Sequence, residues 1–279
     1  MNDYIMSDLK TAVVCIARLE GKYIREFIDH YKSLGFSNVI VCDNDHDEDD
    51  ENLASIIKDY IDDGFVIYED YRNQVKAQMQ CYTNMYQKYG NQFYALFYCD
   101  IDEQLILNKH KDISEFLRSF PEDWEQILTN WKCYNDNNLI HYDPRPLKER
   151  FTQPIPFGKC IQYSNISEDA HVKCIVKGGL PQVLFYSNPH VATNPLITYH
   201  ASGYRCSTAP WQPINWNVAQ INHYVCKTIE EYCTNKLSRG SGDRDYQTFL
   251  RTYGNRFFGY SEPTQEKLDW LKEHGYSGV

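Results

Sequence analysis

Two aspartates, Asp100 and Asp102, directly follow an apolar run, Phe93–Cys99, that has the character of a buried strand. Side chains two residues apart on an extended segment point the same way, so both carboxylates can reach one cation. Hard oxygen ligands of this kind suit Mg²⁺ or Mn²⁺, which commonly completes its coordination with water and a diphosphate. The motif therefore predicts a metal site for a phosphate-bearing ligand. A solvated loop in which an aspartate caps the next helix is the alternative.

Apolar runs and amphipathic segments alternate through the first part of the chain. The predicted strands are Thr11–Ala17, Asn38–Cys42, Phe65–Tyr68 and Phe93–Cys99. Helices are predicted after the first three strands, over residues 23–34, 53–61 and 74–89. Strand and helix units with such short connections predict an α/β fold, in which a mostly parallel sheet carries helices on both faces.

Charged side chains follow the carboxyl end of every predicted strand, although the strands themselves carry none. They are Arg18 and Glu20, Asp43 and Asp45, Asp70 and Arg72, and Asp100, Asp102 and Glu103. In parallel α/β sheets, ligands bind in the crevice beyond these ends. We therefore expect the functional site there, with ordinary polar loops as the alternative. The acidic stretch Asp43–Glu51 lacks the glycine and final glutamate of a calcium loop, so we interpret it as a solvated loop.

The pattern becomes irregular after residue 108, in a stretch rich in Pro, Asn and Tyr. The predicted elements are a helix at Ile113–Phe120, a strand at Gln126–Trp131, short β-like runs at Cys160–Tyr163, Val172–Val176 and Val183–Tyr186, and helical order at Asn217–Lys236. No linker separates the two parts. We therefore predict a single domain over residues 1–279, with a regular half at 10–108 and an irregular half at 109–260 that completes the cleft.

The composition excludes several classes of protein. A net charge of −10 argues against sequence-independent binding of nucleic acid or anionic lipid, because both require a basic surface. No apolar run approaches the ~20 residues of a membrane helix, and the start MNDYIMSDLK lacks the features of a signal peptide. We expect a cytoplasmic protein with at most peripheral membrane contact. The ten cysteines never form CxxC, which indicates reduced buried thiols, and the 23 tyrosines fit either a core or a half-solvated cleft.

Four segments together resemble GT-A glycosyltransferases of the family 2 type, close to the group that includes family 92. They are VCIARLEGKYIREFIDHYKSLGFSNVIVCDN at 14–44, FYCDIDE at 97–103, NWKCYNDNN at 130–138 and INHYVCKTIEEYCTNKLSRG at 221–240. The resemblance extends from about residue 10 to residue 255. It implies transfer of a hexose from a nucleotide diphosphate donor, usually a UDP-sugar, to a hydroxyl of a glycan or lipid-linked saccharide.

The resemblance also assigns roles to residues. Donor-binding residues are expected at Ala17, Arg18, Glu20, Asp43, Arg72, Gln74, Gln78, Asp100, Ile101 and Lys227. Asp100 and Asp102 match the family's DxD motif, which holds Mn²⁺ or Mg²⁺ against the diphosphate. His223 is the candidate third metal ligand or a diphosphate contact, with Lys227 one predicted helical turn later. A structural histidine is the alternative for His223, and Lys236 and Arg239 either add positive charge for phosphate or belong to the solvated surface.

The catalytic base is less well defined. Inverting members of the family use a carboxylate, commonly in an E-D pair at the start of a helix after the acceptor-side strand. No E-D pair occupies that place directly after Gln126–Trp131, where CYNDNN and then PLKERF follow. The carboxylates within reach are Glu149 and Asp136, of which we favour Glu149. Aromatic residues that could stack on sugar rings are Trp124, Trp131, Tyr134, Trp211 and Trp216, with core packing as the alternative for each.

Two other functions remain possible from the sequence. A DxD motif at a strand end also occurs in metal-dependent phosphohydrolases, where it supplies an aspartyl nucleophile, but there it follows the first strand of the domain. A glycan-binding module that resembles a transferase without turnover is the non-catalytic alternative. Among these, we favour a glycosyltransferase that builds a surface polysaccharide.

Overall fold

The computed structural model describes residues 9–156, 162–163, 166–240 and 256–276. Its strands are β1 Thr11–Ala17, β2 Asn38–Asp43, β3 Val66–Asp70, β4 Ala95–Tyr98, β5 Glu103–Leu107, β6 Gln126–Cys133, β7 Gln162–Tyr163, β8 Ile166–Ser167, β9 Val172–Lys177, β10 Thr198–His200 and β11 Ala219–His223. Its α-helices are α1 Ile24–Ser33, α2 Leu53–Ile56, α3 Lys58–Asp62, α4 Gln78–Tyr89, α5 Ile113–Arg118, α6 Leu147–Arg150, α7 Ile229–Glu231, α8 Leu237–Arg239, α9 Phe257–Tyr260 and α10 Gln265–Glu273. A 3₁₀ turn, Glu168–Ala170, precedes β9, and a π-helical turn, Tyr232–Lys236, joins α7 to α8.

One sheet runs through both halves of the chain. Its strand order is β3-β2-β1-β4-β9-β6-β11-β5, with β10 also paired to β6. The first four strands are parallel, whereas β9 is antiparallel to both β4 and β6. Strand β11 is parallel to β6 and antiparallel to β5. The predicted α/β fold with a mostly parallel sheet is therefore confirmed.

Helices cover both faces of the sheet, as β1 illustrates. Val13 belongs to a core cluster shared with α1, whereas Val14 belongs to a second cluster shared with α4. Helix α1 forms because its apolar residues recur at helical spacing and bury one face of the helix. Gly35 follows α1 with φ 83°, a left-handed conformation that glycine adopts without strain.

Two predicted helices have different bounds in the structure. The segment predicted at 53–61 is divided into the short helices α2 and α3, and α4 begins at Gln78 instead of Gln74. Asn73 and Lys76, just before α4, have φ of 62° and 53°, so the chain turns there before the helix begins. The delayed start matters because Gln78 becomes the first residue of α4.

The second half differs more from its sequence prediction. The predicted helical order at Asn217–Lys236 is wrong in its first part, because Ala219–His223 forms strand β11. This strand is hydrogen-bonded to β5 on one side and to β6 on the other, and both of its faces are buried. These contacts override the helical periodicity of the segment. The run Val172–Val176 lies within β9, Val183–Tyr186 forms no strand, and Cys160–Tyr163 falls partly outside the described residues.

No helix within the described ranges is long and apolar enough to span a bilayer.

Strand β9 is followed by Gly178, which lies against the turn that precedes β4. Its N–H donates to the carbonyl of Tyr94 over 2.8 Å, and a Cβ placed on Gly178 would lie 1.9 Å from the carbonyl oxygen of Phe93. We expect Gly178→Ala to lower the free energy of unfolding by about 3 kcal/mol, because the strands must separate to admit the methyl group. Urea denaturation measures the change.

Gly179→Ala is the matched control. A Cβ at Gly179 would have nothing within 4 Å, so only its positive φ of 74° opposes the substitution. We expect a loss of about 1 kcal/mol at this position. A Gly178→Ala protein as stable as the Gly179→Ala protein would show that the packing of β9 on β4 is not close.

Candidate active site

The DxD residues lie in a turn between β4 and β5, so the argument from an extended segment does not hold. The Glu103 N–H donates to the carbonyl of Asp100 over 3.1 Å and closes the turn. As a result, Asp100 and Asp102 have separate partners. Both remain at the carboxyl end of a buried parallel strand, where ligands of such sheets bind.

Asp100 is held by three side chains. Its Oδ1 accepts hydrogen bonds from Gln78 Nε2 at 2.7 Å and from the Tyr82 hydroxyl at 3.4 Å. Its Oδ2 accepts from Lys173 Nζ at 2.7 Å. The structure thus brings the predicted donor-binding residue Gln78 to the DxD turn. Lys173 was not predicted, because a lone lysine in the apolar run Val172–Val176 gives no signal of its partner.

Asp102 faces β11 and the helical segment that follows it. Its Oδ1 lies 3.8 Å from His223 Nε2, and its Oδ2 accepts from Lys236 Nζ at 3.4 Å. Burial raises the pKa of Asp102, but the charges of Lys236 and Lys227 outweigh burial and hold this pKa well below its usual value. Burial lowers the pKa of His223 to about 3, so its imidazole is neutral at pH 7, the form that binds metals.

Asp102 and His223 fit a divalent cation as one oxygen and one nitrogen donor. Mn²⁺ accepts this combination, and it usually takes further ligands from water and phosphate. In the part of the chain that the structure describes, no group of three or more His, Cys, Asp or Glu side chains is arranged to hold a metal ion. The protein would therefore supply two ligands from this pair, and a diphosphate and water would supply the others.

Three cationic side chains surround this pair. Lys227 lies in a turn with φ 52°, and its Nζ is 4.3 Å from the centre of the Tyr23 ring. The prediction that Lys227 follows His223 by one helical turn is wrong, because His223 ends a strand. Lys236 ends the π-helical turn, and Arg239 in α8 donates to the carbonyl of Arg18 over 3.1 Å.

These cations are not ordinary surface residues. The side chains of Lys236 and Arg239 are 19% and 16% exposed, so the solvated-surface alternative is wrong for both. Arg239 also forms an ion pair with Glu20, which fixes a predicted donor-binding residue at the end of β1. The cluster is a local concentration of positive charge in an otherwise acidic protein.

A cavity of about 350 Å³ lies beyond the ends of β2 and β3. Its lining residues are Asp43, Asp45, His46, Asp47, Asp49, Glu51, Asn52, Leu53, Ala54, Tyr68 and Arg72. Asp43 and Asp45 are 2% and 3% exposed, so the interpretation of this stretch as a solvated loop is wrong for them. Burial raises the pKa of Asp45 to about 6 and that of Glu51 to about 7.

The buried carboxylates of this cavity are partly satisfied. Asp43 accepts from the Tyr68 hydroxyl at 2.5 Å, and Asp45 Oδ1 accepts from the Leu19 N–H at 2.8 Å. The other oxygen of Asp45 is buried without a hydrogen-bond partner among the described residues. A ligand that donates hydrogen bonds would satisfy it, since an unpaired buried acceptor is costly.

The remaining predicted donor-binding residues have varied surroundings. Ala17 is buried and pairs with Asp43 in the β1–β2 register. Arg18 makes a bidentate ion pair with Asp49. At the rim, Arg72 is exposed and pairs with Asp70, and Gln74 is exposed, whereas Ile101 is buried within the DxD turn.

In the described part of the chain, neither of the two predicted catalytic bases contacts the DxD turn. Asp136 is 1% exposed, and its Oδ2 forms an ion pair with Lys267 Nζ at 2.5 Å and accepts from Ser261 at 2.8 Å. Glu149 is exposed on α6, a helix that attaches to α1 through the Glu26 carboxylate. No contact among the described residues brings Asp136 or Glu149 to the DxD turn.

An E-D pair that was not predicted as the base is connected to His223 through β6. Glu168 and Asp169 begin the 3₁₀ turn before β9, and Asp169 Oδ1 accepts from the Cys133 N–H at 2.8 Å. Cys133 in turn pairs with His223 in the β6–β11 register. The dipeptide itself was the available signal. The base was predicted among the residues directly after β6, whereas the chain returns to this end of β6 much later in the sequence.

The aromatic candidates divide into buried and exposed residues. Trp124 and Trp131 are 1% and 7% exposed, so core packing holds for both, although the Trp131 ring lies 4.2 Å from that of His223. Tyr134 packs on Tyr224, and Trp216 donates from Nε1 to the carbonyl of Trp131. Trp211 is 48% exposed.

Trp211 is also close to the E-D pair. Its backbone forms a β-bridge with His171, and the two rings are 6.4 Å apart. His171 donates from Nδ1 to the Glu168 carbonyl over 3.1 Å. Trp211 is therefore an exposed candidate for a sugar platform, in contact with the residue that ends the E-D turn.

A substitution at Asp136 separates a structural from a catalytic role. Because Asp136→Asn leaves the fully buried Lys267 without its counter-ion, we expect the free energy of unfolding to fall by about 3 kcal/mol or more. Chemical denaturation measures this loss, and Asp136→Asn combined with Lys267→Met should recover part of it. Unchanged stability with a large loss of turnover would instead identify Asp136 as the base.

Comparison with known proteins identifies the family. The sequence profile of glycosyltransferase family 92 matches residues 10–236, and no individually curated protein sequence matches the chain significantly. Among solved structures, TarS 1–349 of S. aureus in complex with UDP-GlcNAc is similar at 14% identity and TM-score 0.42, over 95% of this chain and 79% of that one. In the alignment with the TarS 1–349 complex with UDP, the chain covers 38% of the TarS fragment.

Two further solved structures are similar over a smaller share of the chain. One is the mannosyltransferase PcManGT from Pyrobaculum calidifontis with GDP-Man and Mn²⁺, at 9% identity, 46% and 36% coverage of the two chains, and TM-score 0.34. The other is GalNAc-T7 with UDP, GalNAc and Mn²⁺, at 15% identity, 46% and 23% coverage, and TM-score 0.30. Because the family profile spans most of the sequence, the chain belongs to glycosyltransferase family 92.

Proposed function

We propose that this glycosyltransferase is metal-dependent and moves a hexose from a UDP-sugar to a hydroxyl of a glycan or lipid-linked saccharide. The observation that carries the proposal is the pair Asp102 and neutral His223, surrounded by Lys227, Lys236 and Arg239. Such a site can hold one dication and the diphosphate that accompanies it. A cytoplasmic enzyme of surface polysaccharide synthesis, in at most peripheral contact with a membrane, fits such an acceptor.

The donor would lie across the ends of β1 to β4. The cavity lined by Asp43 and Asp45 accepts the nucleoside, since uracil N–H and ribose hydroxyls are donors that suit buried carboxylates. The diphosphate would lie between this cavity and the cationic cluster. When bound, the metal supplies positive charge that stabilises the departing UDP.

The acceptor would lie on the β6 side, between Trp211 and the E-D pair. We assign the base to Asp169. It is as buried as Asp136, at 1% exposed, but the Cys133 N–H holds its carboxylate beside β11, where Cys133 is the register partner of His223. The acceptor hydroxyl gives its proton to Asp169 as its oxygen bonds to the anomeric carbon. The bond from that carbon to the diphosphate breaks, UDP leaves, and the configuration inverts.

A donor panel tests the proposed reaction. We expect UDP release from at least one of UDP-glucose, UDP-galactose and their N-acetyl forms, and a loss of at least about 100-fold when EDTA replaces Mn²⁺. Asp102→Asn should match the effect of EDTA. If no donor gives metal-dependent UDP release, the proposal is wrong, and turnover of p-nitrophenyl phosphate would favour a phosphohydrolase.

The base is tested with a pair of isosteric substitutions. Asp169→Asn keeps an oxygen for the Cys133 N–H but cannot take up a proton, so kcat should fall by about 10²–10⁴ with little change in stability or in UDP affinity. Glu149→Gln should leave kcat within about twofold, because the residue is exposed on α6. A large fall in kcat for Glu149→Gln, with little change for Asp169→Asn, would identify Glu149 as the base.

A further inference from the structure

Lys173 is a fully buried lysine that points into the DxD turn. It lies on β9, its side chain is 0% exposed, and its Nζ is 2.7 Å from Asp100 Oδ2 and 3.5 Å from Glu103 Oε2. A buried ammonium group is costly unless it is paired, so these two carboxylates are the reason that the sheet tolerates it.

The two carboxylates are not equivalent partners. Glu103 is fully buried, its Oε2 accepts from the Asp100 N–H at 2.8 Å, and its Oε1 has no partner among the described residues. Asp100 is 35% exposed and lies closer to the lysine, which makes Asp100 the main counter-ion of Lys173.

The contacts of Asp100 leave little for a metal ion. Lys173 occupies Oδ2, and Gln78 occupies Oδ1 with a hydrogen bond of 2.7 Å. Asp102 differs, because its neighbours His223 and Lys236 lie at 3.8 Å and 3.4 Å, longer than a close hydrogen bond. The two aspartates of one motif therefore have different availability for coordination.

We infer that Lys173 is a positioning residue that holds Asp100 in an ion pair and keeps it out of the metal's coordination sphere. Asp102 and His223 remain as the protein ligands, in a site whose nearby lysines leave little net negative charge. A dication then binds weakly to the free enzyme and strongly together with a diphosphate, which supplies the missing charge. This inference rests on the proposed metal dependence.

The test measures Mn²⁺ binding without turnover, by electron paramagnetic resonance titration of donor-free protein. In Lys173→Met, Asp100 loses its counter-ion and becomes available, so Mn²⁺ affinity should rise about tenfold. Lys173→Arg keeps the charge and should stay within about threefold of the natural protein. A lysine that merely supports the fold would not produce a gain of affinity when it is removed.

Asp100→Asn completes the cycle. In the natural background it should change Mn²⁺ affinity by less than about threefold, whereas in Lys173→Met it should abolish the gain. Asp102→Asn should weaken Mn²⁺ binding by at least about tenfold in either background. An Asp100→Asn effect as large as that of Asp102→Asn in the natural protein would overturn the inference.

A second variant protects the test against unfolding. If Lys173→Met leaves Glu103 unpaired and the protein does not fold, Lys173→Met with Glu103→Gln removes both buried charges and carries the same expectation. Unchanged or weaker Mn²⁺ affinity in the folded variant overturns the role of Lys173. Repeating the titration with UDP separates the two proposals, because Mn²⁺ that fails to bind even with UDP contradicts metal dependence itself.

Discussion

The antiparallel insertion of β9 between β4 and β6 is the constraint on which the rest of the structure depends. Strand β4 ends at the DxD turn, and β6 ends beside the E-D pair and His223. One strand paired to both fixes the distance between the DxD turn and the E-D pair. Gly178 then allows the end of β9 to approach the turn before β4, where any side chain would separate them.

The same strand introduces the charge that the DxD turn requires. The protein carries a net charge of −10, whereas the proposed donor has a negative diphosphate. Positive charge is concentrated at the site itself. Lys173 forms an ion pair with Asp100, and Lys227, Lys236 and Arg239 lie around Asp102. Buried and half-buried cations act at short range in a low dielectric, so a few of them outweigh a diffuse acidic surface.

Tyrosines serve both the core and the polar site. The Tyr31 ring packs in the core while its hydroxyl donates to the carbonyl of Glu103, and the Tyr82 hydroxyl reaches Asp100. Tyr23 donates to Glu231, which also pairs with Arg150. Each ring buries apolar surface at a point where the neighbouring backbone or carboxylate needs a donor. The high tyrosine content thus supports the positioning of charged residues.

The sequence by itself determined the α/β class, the strands β1 to β4 and the DxD motif at the end of β4, whereas His223 as a partner of that motif came from the family resemblance. These features depend on local patterns: apolar runs, helical spacing after each run, and charged residues at the ends of strands. The family resemblance added the reaction type, which periodicity alone does not contain. Asp102 and His223 lie together as expected, although the segment of His223 is a strand and the DxD segment is a turn.

The tertiary structure alone decided which charged groups meet. Lys173 and Asp100 are far apart in sequence and join only because β9 reverses direction between two strands. Asp169 accepts a hydrogen bond from the Cys133 N–H, and Asp136 forms an ion pair with Lys267. Both contacts join residues far apart in sequence, so no local pattern encodes them. The free energy of a buried charge depends on every group packed around it, so the role of a carboxylate follows from its neighbours in space rather than in sequence.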